Sequence, residues 1–408
     1  MKKTFLALLG GALLVLAGCG GGGGGGGGGG ITACTLSGTL STELDLDPTR
    51  CSSYRVTGEL LIEDGGKLVA PPGTTLVFDQ DTGISVSGHG ALVAEGSAAD
   101  PVVFKGAAAI PGYWKGIVFT DADSFDNKLI HAEIRDAGGK DLWDPGSFGT
   151  FRAAVVLWGQ SRLRMQHSRV WKNDGAGVFV DEEVDLYGDF AGNTLTENQG
   201  YPLLIYASRV ASLKPDSDFT GNPGHNFVRV AAGSYEAVGT GTWHKLNVPY
   251  RLFGDVTVAD GATLTIEAGA VLVFEQDARL TVAGRTGALT AIGTASAPIL
   301  FTGVGAHPGY WCGLYFNDTH STDNRLAHVV VEYGGGDAAA CTFSQSNFQG
   351  NILIDSSGNA STQYLYLHDS IIRNSRHYGI VVADTATTDF AGNAFSNNAD
   401  GNQKVEHY

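Results

Sequence analysis

The chain contains a long internal repeat. The stretch that begins at Thr75, TLVFDQDTGISVSGHGALVAEGSAADPVVFKGAAAIPGYWKGIVF, returns from Val271 as VLVFEQDARLTVAGRTGALTAIGTASAPILFTGVGAHPGYWCGLYF. Both copies later reach the pentapeptide Asp-Phe-Ala-Gly-Asn, at 189–193 and 389–393. A long repeat is the sequence signature of units that stack on one another and bury a shared core. We therefore expect two homologous modules.

Short segments inside each copy, such as Thr75–Phe78 and 116–119, are rich in β-branched and aromatic residues and are separated by Gly, Asn, Asp and Pro. Their period of two predicts strands, and helical periodicity is lacking. Such strands suit a sandwich or a solenoid. Recurrent strand-turn-strand phrases favour the solenoid, as do asparagines after apolar runs, which we expect at left-handed corners with hydrogen bonds to neighbouring coils. These asparagines are Asn173, Asn193, Asn198, Asn374, Asn393 and Asn398.

Three motifs are distinctive. They are Gly-Tyr-Trp-Lys-Gly-Ile-Val-Phe at 112–119, an Asn-x-Leu-x-His-x-x-Ile segment at 127–134, and Asp-Phe-Ala-Gly-Asn-x-x-x-x-Asn at 189–198. Together they resemble bacterial lipoproteins of the right-handed parallel β-helix (pectate-lyase-like) superfamily, over residues 54–400. The resemblance implies an all-β, right-handed parallel β-helix solenoid built from two homologous modules, with coils of roughly 20–25 residues that each rise about 4.8 Å. The alternative fold is a β-propeller or a pair of sandwiches.

The N-terminus has the features of a secretory leader. Two lysines precede an apolar run, and the tetrapeptide Leu-Ala-Gly-Cys ends at Cys19. This tetrapeptide resembles the bacterial lipobox, which predicts a lipoprotein signal peptide at 1–18 and acylation of Cys19 by diacylglycerol and a palmitate-type chain. The glycine run Gly20–Gly30 has no side chains to bury and predicts a tether. Because Gly20 follows the cysteine, we expect outer-membrane localisation, facing the periplasm or the cell surface.

The predicted organisation has five parts. They are the signal peptide 1–18, the lipidated cysteine and poly-Gly tether 19–30, an N-terminal cap 31–55, module 1 at 56–249 and module 2 at 250–408. Acidic residues number 42 against 26 Lys and Arg, for a net charge of −16. A chain this acidic lacks the cation clusters that nucleic acid and anionic lipid require. We therefore expect no nucleic-acid partner, and membrane contact through the lipid anchor.

Four cysteines remain after Cys19 in a chain that we expect to be exported, where disulfides form. Cys34 and Cys51 bracket a short loop within the predicted cap, and we expect them to pair. Cys312 and Cys341 are both absent from the first copy and lie about one coil apart, which favours a second disulfide between adjacent coils. The chain has no Cys-x-x-Cys spacing, which is the pattern that would have suggested a metal site.

Two aromatic pairs follow Pro-Gly, at Tyr113-Trp114 and Tyr310-Trp311. On an outer face these rings would stack on sugar rings, and they are our candidate ligand-binding residues. At a corner they would instead pack against the next turn of the solenoid, which is the interpretation that we favour.

An acidic cluster comprises Asp181, Glu182, Glu183 and Asp185. Carboxylates are the ligands that Ca²⁺ prefers, and β-helical polysaccharide lyases hold Ca²⁺ in this way. The second copy keeps only part of the cluster, which favours a solvated charged loop. We expect no cofactor, with Ca²⁺ as the alternative.

Histidines recur in both copies, at His131 and His328 and at His167 and His368. Since each lies in an alternating segment, we expect structural hydrogen bonds rather than catalysis. The tripeptide Gly88–Gly90 is similar to a Gly-His-Gly of β-helical polygalacturonases, but the carboxylates of that family have no counterpart here. An exposed turn is the simpler interpretation.

Residue types and spacings do not define a complete catalytic set. We expect an outer-membrane-anchored β-helix lipoprotein that binds a surface or envelope ligand without catalysis, glycan first among the candidates and an envelope protein second. The alternative is a polysaccharide lyase or glycoside hydrolase with a cleft along the β-helix. A scaffold alone does not decide between them, because one fold carries many activities. The feature that distinguishes the two is an acid and a base close together on adjacent coils.

Overall fold

A computed structural model describes residues 34–144, 146–233, 238–337, 341, 349–355 and 363–407. In these ranges the chain is almost entirely β-strand, and the 3-10 helix Ala207–Ser212 is the single helical element. No helix in them is long and apolar enough to cross a membrane. The predicted lipidation site Cys19 and the glycine tether lie outside the described residues.

The strands of the first half extend from the predicted cap to residue 231. They are β1 (Cys34–Leu40), β2 (Glu43–Asp45), β3 (Tyr54–Ile62), β4 (Lys67–Ala70), β5 (Thr75–Phe78), β6 (Gly83–Ser87), β7 (Ala91–Glu95), β8 (Val102–Gly106), β9 (Gly116–Thr120), β10 (Lys128–Ile130), β11 (Ala132–Arg135), β12 (Leu142–Asp144), β13 (Gly149–Phe151), β14 (Ala153–Trp158), β15 (Arg164–Gln166), β16 (Arg169–Trp171), β17 (Ala176–Val180), β18 (Thr194–Thr196), β19 (Leu203–Tyr206) and β20 (Val228–Ala231).

The strands of the second half begin at residue 241 and include those of the second module. They are β21 (Gly241–Trp243), β22 (Tyr250–Phe253), β23 (Asp255–Val258), β24 (Thr263–Ile266), β25 (Val271–Phe274), β26 (Arg279–Ala283), β27 (Ala288–Ile292), β28 (Ile299–Gly303), β29 (Gly313–Asn317), β30 (Arg325–Ala327), β31 (Val329–Glu332), β32 (Gly350–Asp355), β33 (Tyr364–His368), β34 (Ile371–Arg373), β35 (Tyr378–Ala383), β36 (Thr387–Ala391), β37 (Ala394–Ser396) and β38 (Gly401–Glu406).

Strands pair in parallel with strands one coil away, which is the pattern of a parallel β-helix. Val56 of β3 is in register with Phe78 of β5, and Leu76 of β5 with Phe104 of β8. Among the named strands only β12 and β13 pair antiparallel. The predicted all-β solenoid of two homologous modules is confirmed. A propeller or sandwich, both built from antiparallel strands, does not fit this pairing.

Each coil supplies strands to three sheets. In module 1 the first sheet contains β5, β8, β11, β16 and β18, the second contains β6, β9, β14, β17 and β19, and the third contains β4, β7, β10 and β15. In the second copy, β25, β28 and β31 match β5, β8 and β11 of the first sheet by sequence.

The two modules are out of phase by one sheet. Strand β19 of the second sheet pairs with β20, β20 pairs with β22, and β22 pairs with β25. The second sheet of module 1 therefore continues into the first sheet of module 2.

Coil length varies more than the sequence analysis expected. Val56 and Phe78 are in register on adjacent coils and lie 22 positions apart, so this coil has the expected length. Ile134 is in register with Val170, and Val331 with Ile372, so the coils at the centre of each module are much longer. The expected coil length of roughly 20–25 residues is wrong for these coils because extra residues enter at corners, where they leave the strand register intact.

Buried asparagines connect successive coils. The side-chain amide of Asn173 donates to Oδ1 of Asn198 at 2.9 Å, and that of Asn198 donates to Oδ1 of Asn222 at 3.1 Å. This confirms the expected hydrogen bonds between coils. The left-handed conformation is adopted by the preceding residue, Lys172 (φ 55°) or Glu197 (φ 55°). These two buried asparagines thus follow the corner residue, whereas Asn374 (φ 55°) occupies a left-handed corner as expected.

Both predicted disulfides are present. Cys34 and Cys51 are joined with their Cα atoms 5.9 Å apart, within the first coil. Cys312 and Cys341 are joined with a Cα separation of 5.4 Å. The segment predicted as a cap contributes β1 and β2, which pair in parallel with β3 and β4.

Candidate functional site

Trp114 and Trp311 lie inside the solenoid. The Trp114 ring stacks on Phe78 with centroids 3.9 Å apart, and the Trp311 ring stacks on Phe274 at 4.1 Å. Both side chains have 0% exposure. These two buried indoles offer no face to a sugar ring, and their packing agrees with the corner interpretation that the sequence analysis favoured.

Each buried indole also makes one hydrogen bond to the next coil. Nε1 of Trp114 donates to the carbonyl oxygen of Arg135 at 2.8 Å, and Nε1 of Trp311 to that of Glu332 at 2.9 Å. Their neighbours Tyr113 and Tyr310 are half-buried. The Tyr310 hydroxyl lies 3.4 Å from Oε2 of Glu275. Burial and this carboxylate raise the pKa of Tyr310.

The acidic cluster does not converge on one point. The Asp181 carboxylate accepts hydrogen bonds from the backbone amides of Gly159 and Glu182, and burial raises its pKa. Glu182 is buried, whereas Glu183 and Asp185 are exposed. Nowhere in the described ranges do three His, Cys, Asp or Glu side chains gather in a group that could hold a metal ion.

The repeated histidines lie mainly at corners. His131, His167 and His328 have positive φ angles of 47°, 50° and 47°, which places them between strands rather than inside them. The rings of His131 and His167 stack with centroids 5.1 Å apart. His368 ends β33 and its Nε2 lies 2.9 Å from Oδ1 of Asp389.

The tripeptide Gly88–Gly90 forms a turn in which His89 is exposed. Gly88 has a φ of 55°, and Nδ1 of His89 lies 2.6 Å from Oδ1 of Asp123 in the next coil. This hydrogen bond and the charge of Asp123 raise the pKa of His89. The turn was the simpler of the two interpretations of this motif.

A hairpin made by β12 and β13 covers the outer face of the second sheet. Its centre is Asp144, whose Oδ2 accepts hydrogen bonds from the amides of Ser147 and Phe148, each at 2.9 Å. The Tyr206 hydroxyl donates to the same oxygen at 2.7 Å. Arg152 holds the base of the hairpin, because its guanidinium contacts the carboxylates of Asp141 and Asp174, each at 2.5 Å. The hairpin is thereby fixed to the solenoid.

The two sides of this hairpin differ in character. Phe148 and Phe151 face the sheet and contact the ring of Phe179 at centroid distances of 5.5 and 4.5 Å. Trp143, on the opposite side, is 65% exposed. An exposed indole on a rigid support offers a large flat surface to a ligand at little cost in conformational entropy. Trp143 is therefore the leading candidate for ligand contact.

A second group of rings adjoins the hairpin, and we call it the arginine–aromatic patch. It consists of Tyr201, His225, Phe227, Arg229, Arg251 and Phe253, all of them half-buried. The Arg229 guanidinium lies 5.1 Å from the ring centroid of Phe148 in the hairpin, which connects the two surfaces. Tyr310 borders the patch, because its partner Glu275 also contacts Arg251 at 2.5 Å.

The sequence analysis missed both surfaces. Trp143 lies in an insertion without a repeated motif, and no feature of its own marks it as exposed. The signal that could have identified it was the long segment between β11 and β14. Loops that lengthen a coil in this way often carry function. The patch had no comparable signal, because its residues come from successive coils and meet only when the coils stack.

The chain matches the family described as pectate-lyase like beta helix domain over residues 38–143 and 238–370, more than half of its length. The coils and the stacked corners define the protein as a parallel β-helix, and the chain belongs to this family. Most of the hairpin and the positions of Tyr201, His225, Phe227 and Arg229 lie outside the two matched segments. Comparison with curated proteins and with solved structures finds no significant match.

Proposed function

We propose that the protein is an outer-membrane-anchored β-helix lipoprotein that binds glycan without cleaving it. The observation that carries this proposal is Trp143, which is two-thirds exposed on a hairpin fixed to a rigid solenoid. Flat apolar rings with polar edges stack well on sugar rings. The family's description refers to pectate lyase, whose substrate is a polysaccharide, and this supports a carbohydrate ligand.

The engagement of the acidic side chains supports a non-catalytic role. Asp144 accepts three backbone amides and one hydroxyl, and Asp181 accepts two backbone amides. Asp185 lies 3.5 Å from Nε of Arg162. A general acid or base needs an oxygen that reaches the substrate, and backbone amides occupy the carboxylates of Asp144 and Asp181. The engagement of these two residues favours a structural role for them over a catalytic one.

The anchor in this proposal comes from the leader sequence. Lipid chains on Cys19 would insert many methylenes, at about 0.8 kcal/mol each, which is enough for stable attachment. The glycine tether between Cys19 and the first strand would separate the solenoid from the lipid surface. Cys19→Ser should release the protein from the outer-membrane fraction into the soluble fraction. Retention of this variant in the membrane would overturn the anchoring proposal.

Glycan binding is tested with the full chain carrying Cys19→Ser on an array of bacterial and plant oligosaccharides. Trp143→Ala should weaken the binding found there about fivefold, which corresponds to the loss of one ring stack. Phe125→Ala is the matched control, because Phe125 is 60% exposed but lies next to Tyr187, away from the hairpin. An equal effect of both substitutions would contradict a role for the hairpin.

The rival enzyme proposal is tested with the same protein. Polysaccharide digests are followed at the ultraviolet absorbance of unsaturated ends and by a reducing-sugar assay. Turnover that disappears in Asp181→Asn or Glu182→Gln would replace the binding proposal with a lyase or hydrolase. Absence of both binding and turnover would leave a structural role in the envelope.

A further inference from the structure

Arg229, in the arginine–aromatic patch, is a half-buried cation surrounded by aromatic rings. Its guanidinium carbon lies 4.1 Å from the ring centroid of Phe253, 5.1 Å from that of Phe148 and 5.4 Å from that of Tyr201. Rings therefore surround the cation from two neighbouring coils and from the hairpin. Cation–π contacts of this kind offset part of the cost of removing the charge from water.

No carboxylate of the described residues lies within ion-pair distance of Arg229. Arg251, which is in register with it one coil away, contacts Glu275 at 2.5 Å and engages the carboxylate that the two arginines would otherwise share. Burial lowers the pKa of Arg229, and the Tyr201 hydroxyl and the Glu275 carboxylate offset part of this effect. Its Nε is buried and makes no hydrogen bond.

Arg229 is not part of the repeated scaffold. The pair Arg251 and Glu275 has a counterpart in module 1, where Arg55 contacts Asp79 at 2.8 Å. The residue in register with Arg55 one coil earlier is Thr35, so the position of Arg229 has no cation there. The matching position at the start of the first copy therefore carries no such charge, and the repeated scaffold does not account for Arg229.

A second buried nitrogen without a partner lies in the same patch. Nδ1 of His225 makes no hydrogen bond, and the His225 ring lies 4.5 Å from the ring of Tyr201. Burial, and then the nearby Arg251, lower the pKa of His225 and so favour its neutral imidazole. The described residues leave several other buried side-chain atoms without a partner as well, so the case for a ligand here rests on the unpaired charge of Arg229 and the rings around it.

We infer that the arginine–aromatic patch is a subsite for one oxyanion substituent, a carboxylate or a sulfate, on a glycan that stacks on the adjoining rings. This inference rests on the proposed glycan-binding function and specifies its ligand as an acidic glycan. A guanidinium fork matches the geometry of an oxyanion and binds it in a bidentate manner. No cation is needed as a bridge, because Arg229 supplies the charge itself.

Recognition at this subsite is local. The chain carries a net charge of −16, so a polyanion is repelled at long range. Salt screens that repulsion over distances beyond about 8–10 Å, while the half-buried contact with Arg229 is screened less. Binding of an acidic glycan should therefore depend on one arginine rather than on the overall field of the protein.

The experiment compares dextran, carboxymethyl-dextran and dextran sulfate of equal chain length by titration calorimetry on the full chain carrying Cys19→Ser. Both anionic forms should bind about tenfold tighter than dextran, as expected of a charge-assisted bidentate contact. Arg229→Gln should remove this difference, and the readout is the ratio of the affinities for the anionic and the neutral dextrans within each variant. Arg229→Lys keeps the charge without the fork and should retain only part of the difference.

Arg162→Gln is the matched control. Arg162 also lies over a ring, 4.2 Å from the centroid of Phe125, but contacts the carboxylate of Asp185. Equal affinity for the three dextrans, or an equal loss in Arg162→Gln and Arg229→Gln, would overturn the subsite and leave glycan binding intact. If none of the dextrans and no glycan of the array binds, the proposed function and the subsite both fail.

Discussion

The Tyr206 hydroxyl donates a hydrogen bond of 2.7 Å to Oδ2 of Asp144, across 62 positions of sequence. Tyr206 ends a strand of the second sheet, and Asp144 ends the first strand of the hairpin. Both side chains are buried, with exposures of 2% and 3%. Burial and this carboxylate raise the pKa of Tyr206 far above its ordinary value. The bond therefore joins the candidate binding surface to the solenoid.

Tyr206→Phe should lower the free energy of unfolding by about 1–3 kcal/mol, because the buried Asp144 carboxylate loses its hydroxyl donor. Urea denaturation followed by circular dichroism measures this. Tyr364→Phe is the control, since Tyr364 is 37% exposed and should change stability by less than about 0.5 kcal/mol. Equal stabilities of the two variants would show that the hairpin does not depend on this bond.

Trp114→Ala should destabilise the protein by about 3–5 kcal/mol, as expected when a buried tryptophan is truncated. The same substitution at Trp143 should cost less than about 0.5 kcal/mol, because Trp143 is exposed. The midpoint of urea unfolding, measured for both variants, checks the contrast. A large loss at Trp143 would mean that its ring stabilises the fold.

Asn198→Ala should lower the free energy of unfolding by about 1–3 kcal/mol, since buried amides of two neighbouring coils lose a partner. Asn402→Ala is the control at an exposed position of β38. Hydrogen exchange should show faster exchange at Asn222 and its neighbours in Asn198→Ala. Unchanged exchange there would contradict the ladder.

The His89 imidazole should titrate above pH 6.5, the ordinary value for histidine, because Asp123 favours its charged form. A pKa raised by folding stabilises the protein fully below the unfolded value, and this contribution disappears as the pH rises through the folded value. Proton NMR titration should show the His89 pKa falling in Asp123→Asn. An unchanged pKa would mean that the pair does not interact in solution.

Part of the candidate site was predictable and part was not. Cys312 and Cys341 were paired correctly, because their shared absence from the first copy placed them together. The tyrosine–tryptophan pairs were located correctly at corners, but only the tryptophan of each pair is fully buried, and its tyrosine neighbour is half-buried. Which of Tyr113 and Trp114 faces inward depends on the backbone path through the turn, and residue type does not reveal it.

The repeat, the period of two and the cysteine pattern determined the β-helix and its two modules, since these are regularities along the chain. Tertiary structure alone decided how the coils stack. Arg229, Arg251 and Phe253 become neighbours because the second sheet of module 1 continues into the first sheet of module 2. Parallel strand pairing fixes only the local register. Which sheet of module 1 continues into which sheet of module 2 depends on the number of residues in the corners between β19 and β25.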